Sequence, residues 1–286
     1  MRSIIPYRPT TWRQRFPPSP LLNTTTTLSY NKQHAFNNHH LHRHDERQRR
    51  SFSDPARPLI YPEAINTEHH DLASYAAYAA RTGLDVKSKT YVGTQYEYAV
   101  AASLAALGFD LKRVGGRSDC GIDLLGTWRV PSSPGHGSAS ASASAPVPLR
   151  VLVQCKASAS QSTKVGPHHV RELEGAFAGA PPGWRAGPGL LAFLVSQRPA
   201  TAGVRDALAA SRWPMGYFMY SEKGGGLQQM LWNSRAEEEG LEGMGVSVGY
   251  FDSSAAEETA KRLVLTWKGK PYAAGPVLGK QVSTEP

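Results

Sequence analysis

The chain has 286 residues, a formal net charge of +9 at pH 7 and two cysteines. This length favours one large domain with appendages. Two cysteines exclude a disulfide framework and a cysteine-only zinc centre. No apolar run approaches the ~20 residues that a transmembrane helix needs, so no membrane span is predicted. Most of this net positive charge lies in the first 60 residues, which contain ten basic and three acidic residues.

The N-terminal segment has the composition of a targeting sequence. Residues 1–44 contain no Asp or Glu, carry spaced Arg with many Ser and Thr, and lack the apolar stretch of a secretory signal. We expect residues 1–60 to comprise a mitochondrial transit peptide and a disordered basic segment, with the folded domain at 61–286. The alternative is a basic tail that binds nucleic acid, since Pro17, Pro18 and Pro20 interrupt any long amphipathic helix.

Two helices are predicted at the start of the domain. Apolar residues recur at helical spacing over 68–81, and Gly83 follows as a stop signal. A second and stronger apolar stripe runs over 94–107 and ends at Gly108.

Three strands follow, and a low-complexity segment interrupts them. Residues 109–114 alternate apolar and polar side chains, and 122–130 and 149–156 are further strand-like runs. Residues 131–148 form a Ser/Ala/Gly/Pro tract that offers nothing to bury, which indicates a flexible insertion within a hairpin. The second and third strands should therefore be adjacent and antiparallel.

The remaining pattern alternates between helix and strand. Helices are predicted at 168–178 and 201–211, strands at 189–196, 215–221 and 262–267, and an acidic loop at 235–243. Hairpins first and crossover connections later imply a mixed sheet flanked by helices, that is, an α/β fold.

Two of the predicted strands carry a charged residue near one end, in apolar surroundings. Asp123 lies between Ile and Leu, and Lys156 closes the run Val-Leu-Val-Gln-Cys. Charges there are costly unless they have partners, and a divalent cation is one such partner. Mg²⁺ prefers oxygen ligands, with Mn²⁺ as the alternative ion, so we expect ligands from Asp123, the Gln154 amide, the Cys155 carbonyl and Glu97 on the preceding helix. Such a site would hydrolyse phosphodiesters.

The same residues resemble a known nuclease superfamily. Gly-Thr-Gln-Tyr-Glu-Tyr-Ala-Val around Glu97, Gly-Ile-Asp-Leu around Asp123 and Val-Gln-Cys-Lys ending at Lys156 are similar to the PD-(D/E)xK nucleases of the Mrr restriction-endonuclease type. The resemblance implies a restriction-endonuclease-like αβββαβ core, with Asp123 as the metal-binding acid, Lys156 as the catalytic lysine and Glu97 as the helix acid. Gln154 occupies the position that usually holds Glu or Asp, and the Mrr-type branch tolerates Gln there.

Further motifs resemble fungal mitochondrial "required for respiratory growth" proteins, the seventh of that name. They are Thr-Tyr-Val-Gly ending at Gly93, Gly-Gly-Arg at 115–117, Trp128 and Val-Arg-Glu-Leu-Glu-Gly at 170–175. Together the resemblances cover roughly 68–221 and imply a mitochondrial deoxyribonuclease that maintains the mitochondrial genome. They also allow a homodimer, since many such nucleases pair to cut both strands.

Basic residues surround the motifs. Between 110 and 205 the basic residues outnumber the acidic ones by eleven to five, which is consistent with a phosphate-bearing substrate or with an ordinary solvated surface. The candidate DNA phosphate contacts are Arg113, Arg117, Lys164 and Arg171. His168 and His169 start a predicted helix, where capping or solvent exposure is commoner than general-base catalysis.

Two alternatives to an active deoxyribonuclease remain at this level. The first is a catalytically inactive nuclease-fold module that binds DNA or assembles with partners, because Gln154 removes a negative charge. The second is an RNA substrate, since no sequence feature separates DNA from RNA.

Overall fold

The structure is a computed structural model that describes residues 59–63, 67–116, 120–131, 148–157, 165–185, 187–252 and 259–272. The predicted transit peptide, Arg117, Lys164 and nearly all of the predicted insertion lie outside these residues. The expected boundary at residue 60 stays a prediction.

A six-stranded mixed sheet forms the centre of the described fold. Its strands follow chain order across the sheet, with antiparallel pairs at both sides and two parallel pairs, β3 with β4 and β4 with β5, in the middle. They are β1 (Phe109–Arg113), β2 (Leu124–Trp128), β3 (Leu149–Lys156), β4 (Leu190–Ser196), β5 (Met215–Ser221) and β6 (Gly226–Trp232). The predicted mixed sheet and the antiparallel pairing of the two site-bearing strands, β2 and β3, are confirmed.

Two helices precede the sheet. Helix α1 (Leu72–Thr82) ends at Gly83, which adopts φ 65°, as expected for a glycine stop. Helix α2 (Lys89–Ala105) begins five residues earlier than the apolar stripe indicated, because the Ser88 side chain accepts the N–H of Tyr91 and caps it.

Helices cover both faces of the sheet. Helix α2 packs Val100 and Leu104 into a core with alternate residues of β3 and β4, such as Val153 and Phe193. Helices α3 (Pro167–Gly179) and α4 (Ala202–Ala210) contribute no buried residue to that cluster; α3 contacts β4 and α4. Because strand side chains alternate between faces, the fully buried Leu152 and Leu194 belong to this second layer.

The C-terminal region is more regular than the sequence pattern indicated. Residues 235–243 were expected to form a loop, but a short helix α5 (Ser234–Ala236) continues into a π-helical turn (Glu237–Leu241). The Asn233 side chain accepts the N–H of Ala236, so it caps this segment. A second sheet of three strands follows, where the sequence predicted one strand over 262–267. They are β7 (Met244–Asp252), β8 (Thr259–Trp267) and β9 (Lys270–Pro271).

Among the described residues, no helix combines the length and the apolar character that crossing a membrane requires.

An aromatic cluster joins α1 to α2 around a buried histidine. The His69 ring lies 4.8 Å from the Tyr75 ring and 5.1 Å from the Tyr78 ring, between centroids. Its Nδ1 lies 2.7 Å from the Tyr98 hydroxyl oxygen. Burial lowers the pKa of His69, and the charge of Arg113 acts in the same direction.

This environment predicts acid sensitivity of the folded protein. A lowered folded-state pKa means that the unfolded chain binds a proton that the fold excludes, so stability is retained above about pH 6.5 and lost as the pH falls below it. We expect His69→Gln to flatten the dependence of the free energy of unfolding between pH 7.5 and 5.5 by up to about 1.4 kcal/mol per pH unit. Urea unfolding at several pH values measures it, with the exposed His70→Gln as control. Parallel curves for wild type and His69→Gln would contradict the assignment.

Candidate active site

Asp123 is held at the point where β2 begins. Its backbone N–H donates to the Val153 carbonyl at 2.9 Å, which extends the β2–β3 pairing by one residue. Its Oδ2 accepts the N–H of Cys155 at 2.6 Å. The carboxylate therefore takes the place of the backbone acceptor that a longer β2 would offer to Cys155, which explains how a charged side chain is positioned between apolar neighbours.

Two glycines make room for the side chains around Asp123. Gly115 is buried, and a Cβ there would lie 3.1 Å from both the Asp123 Cα and its Oδ1. Gly121 has φ +75°, and a Cβ there would lie 2.7 Å from the Gln154 Nε2. Larger residues would displace the Asp123 carboxylate or the Gln154 amide, so both glycines are part of the site.

Gln154 brings a buried polar group to the same end of the sheet. Its side chain is 6% exposed, and the pairing of Leu124 with Val153 places residue 154 opposite Asp123. Its Oε1 has no hydrogen-bond partner among the described residues. An unsatisfied buried acceptor costs about 1–3 kcal/mol, which a cation or another donor would offset.

Cys155 contributes its backbone rather than its thiol. The N–H and C=O of one residue in an extended strand point to the same edge. The Cys155 carbonyl therefore faces the side on which its N–H meets Asp123, beyond the end of β2. Burial raises the pKa of the Cys155 thiol, and the Asp123 and Glu97 carboxylates raise it further, so the sulfur is a neutral thiol at neutral pH.

Glu97 approaches from α2 but is bound to Arg113 of β1. The Arg113 Nε donates to the Glu97 Oε2 at 2.5 Å, and the two side chains are only 18% and 13% exposed. Arg113 also donates to the Thr94 hydroxyl at 3.3 Å and lies 5.9 Å from the centre of the Tyr98 ring. Arg113, which the sequence suggested as a phosphate contact, therefore lies in a largely buried ion pair.

Lys156 points to the face that carries α3. It lies two residues after Gln154, hence on the same side of β3, and its Nζ is 2.9 Å from the Glu172 Oε2. The hydrogen bond from Lys156 lowers the pKa of the Glu172 carboxyl. Sequence reasoning did not select Glu172 as a site residue, because nothing local to an exposed helical Glu identifies a partner 16 positions away.

His168 and His169 lie next to this ion pair. One nitrogen of each ring and a Glu172 oxygen lie within 4.8 Å of one another. The two rings overlap, with centroids 3.8 Å apart, and the His169 Nδ1 accepts the Gly166 N–H. The His169 Nδ1 is therefore used at the N-terminus of α3, where it caps the helix. Burial lowers the pKa of His169, as do the charges of His168 and Lys156.

The structure thus brings together Asp123, Gln154 and the Cys155 backbone at one end of the β2–β3 pair. Lys156 extends from the same strand, and the charge of Glu97 on α2 reaches the Cys155 thiol and raises its pKa. Arg171 is exposed on α3, beside Glu172. Arg117 and Lys164 lie outside the described residues, so their phosphate contacts stay predictions.

Comparison with known proteins identifies the family. The sequence model described as Required for respiratory growth protein 7 matches residues 88–250, more than half of the chain. The chain is also 29% identical over 132 residues to an uncharacterized mitochondrial protein of Schizosaccharomyces pombe, covering 46% of this chain and about half, 48%, of that relative. No solved structure matches the chain. The chain therefore belongs to the required for respiratory growth protein 7 family, and it is a mitochondrial protein with a role in respiratory growth.

Proposed function

We propose that the protein is a restriction-endonuclease-like PD-(D/E)xK nuclease that uses a divalent cation to hydrolyse DNA phosphodiester bonds in mitochondria. Genome maintenance would then be its route to respiratory growth. The observation that carries the proposal is the buried Gln154 Oε1, which has no hydrogen-bond donor among the described residues and belongs to a residue paired opposite Asp123. A buried acceptor beside a carboxylate is what an oxygen-ligated cation requires.

The donor set suits Mg²⁺ or Mn²⁺. Asp123 supplies a carboxylate, Gln154 an amide oxygen and Cys155 a backbone carbonyl, all of them hard oxygen ligands. The Cys155 thiol is neutral, so it is a poor competitor for these ions. When bound, the cation would supply Lewis acidity at the phosphoryl group and lower the pKa of a water molecule.

The chain's own residues have distinct tasks in such a reaction. Asp123 is held by the Cys155 N–H and so presents its carboxylate in one fixed orientation. Lys156 projects from the same strand face as Gln154, where its ammonium would donate to the phosphoryl oxygens and stabilise the charge that grows as water attacks phosphorus. Glu172 holds that ammonium in place through their ion pair.

A module that binds nucleic acid without cleaving it is the second candidate. Gln154 is neutral, and Arg113 matches the charge of Glu97, so the site offers fewer net negative charges to a cation than its residue types suggest. If the cation binds too weakly, the protein would not cleave nucleic acid. Its function would then be to bind nucleic acid or to assemble with partners.

Cleavage assays on the full chain separate these possibilities. The protein would be incubated with duplex, single-stranded and branched DNA and with single-stranded RNA, in Mg²⁺, Mn²⁺ or EDTA. We expect DNA cleavage that requires the metal and falls about 100-fold or more in Asp123→Asn. Asp206→Asn changes an exposed carboxylate on α4 in the same way and should cut like wild type.

The outcomes assign the function directly. Absence of metal-dependent cleavage by the wild type on every substrate would refute the enzyme, and retained DNA binding would then support the module. Cleavage of RNA but of none of the DNA substrates would show that the substrate is RNA and not DNA. Equal activity of Asp123→Asn and wild type would place the chemistry elsewhere.

A further inference from the structure

The ion pair between Glu97 and Arg113 joins α2 to β1 beside the candidate metal site. Arg113 is paired with Leu124 in the sheet, and the N–H of the next residue, Val114, donates to the Asp123 carbonyl at 2.8 Å, so the ion pair lies close along the strands to Asp123. We propose that Arg113 is a resident counter-ion that withholds Glu97 from the metal, so that the site takes a single divalent cation held by Asp123, Gln154 and the Cys155 carbonyl. This inference rests on the proposed function.

Arg113 is fixed in this role by contacts on several sides. Its Nε donates to Glu97, its Nη2 donates to Thr94, and its guanidinium lies over Tyr98. Tyr98 is itself anchored, because its hydroxyl donates to the His69 carbonyl at 3.1 Å. A guanidinium stays protonated at any physiological pH, so the neutralisation of Glu97 is permanent.

The number of cations follows from the number of available anionic ligands. A pair of divalent cations in a nuclease needs carboxylates enough to offset their mutual repulsion. Of the two candidate acids, Asp123 and Glu97, Arg113 matches the charge of Glu97, and residue 154 contributes an uncharged amide. Asp123 is then the anionic ligand of the set, which suits one cation.

The ion pair between Glu97 and Arg113 is largely buried. Both partners are less than one-fifth exposed, so water screens their attraction poorly, and a cation would have to displace a buried guanidinium to reach Glu97. The exposed pair of Arg81, on α1, with Glu68, which precedes that helix, has a similar distance, 2.7 Å, but side chains that are 64% and 53% exposed. It provides a matched control.

Mn²⁺ titration of the full chain without nucleic acid tests the proposal, with bound ions counted by electron paramagnetic resonance. We expect one Mn²⁺ per wild-type chain, and a change of less than about threefold in affinity for Glu97→Gln. Arg113→Gln should release Glu97 and raise the affinity about tenfold or more, or add a second ion. The double variant Glu97→Gln/Arg113→Gln should return to the wild-type value, and Arg81→Gln should not change it.

Each result has one meaning. A loss of Mn²⁺ affinity of tenfold or more in Glu97→Gln would show that Glu97 is a ligand in the resting protein and would overturn the inference. So would unchanged binding by folded Arg113→Gln. If Arg113→Gln does not fold by circular dichroism, the Glu97→Gln result decides alone. Absence of Mn²⁺ binding in wild type and Arg113→Gln alike would refute the proposed metal site itself, and with it this inference.

Discussion

Replacing Lys156 by Met is expected to reduce metal-dependent cleavage by about 100- to 1,000-fold. Methionine keeps the length and the apolar stem of the side chain but removes the ammonium that would meet the phosphoryl oxygens. Among the described residues, the ion pair of the Lys156 Nζ is with Glu172, which is partly exposed. Losing this ion pair should therefore lower the stability of the fold only slightly. The rate is measured under single-turnover conditions on the DNA that wild type cuts best.

Two comparisons make the Lys156 result specific. Lys223→Met removes an exposed ammonium at the connection between β5 and β6 and should leave the cleavage rate unchanged. Mn²⁺ affinity of Lys156→Met should remain within about threefold of wild type, because Lys156 stabilises the reaction and does not bind the cation. A cleavage rate within about threefold of wild type would remove Lys156 from the mechanism.

Replacing Gln154 by Glu is expected to destabilise the metal-free protein but to strengthen its binding of a divalent cation. The new carboxylate would be buried opposite Asp123, and two nearby negative charges without a cation should lower the metal-free free energy of unfolding by about 1–3 kcal/mol. With Mn²⁺ present, the additional charge should raise the affinity about tenfold or more. Thermal unfolding with EDTA and with Mn²⁺, together with Mn²⁺ titration, measures both effects.

The control for Gln154→Glu is the same change on the edge strand of the sheet. Gln228 lies exposed on β6, and Gln228→Glu should alter neither the melting temperature in EDTA nor the Mn²⁺ affinity. Equal behaviour of the two variants would show that residue 154 does not face a cation. Higher affinity together with faster cleavage would identify the neutral amide as the feature that limits the natural site.

Local patterns in the sequence determined much of the fold. Alternation of apolar and polar residues located β1, and strand-like runs located β2 to β5. The composition of 131–148 marked that segment as an interruption within a strand pair, so that Asp123 and Lys156 could be assigned to neighbouring strands. The pattern missed β6, β7 and β9, because exposed or partly exposed strands lack strong periodicity. It also mistook the capped helical turns at 235–243 for a loop, since acidic residues and Gly240 resemble loop composition.

The family and the mitochondrial location were also accessible from the sequence, because the motifs that identify the family are short stretches of the chain itself. The sequence did not show which charged side chains pair with one another. Arg113 could have met a phosphate and Glu97 a metal, yet tertiary structure brings the two side chains together across α2 and β1. Likewise Lys156 meets Glu172 across β3 and α3, and burial leaves Gln154 with an unsatisfied oxygen. Such contacts depend on distances through space and on exclusion of water, which only the packed fold decides.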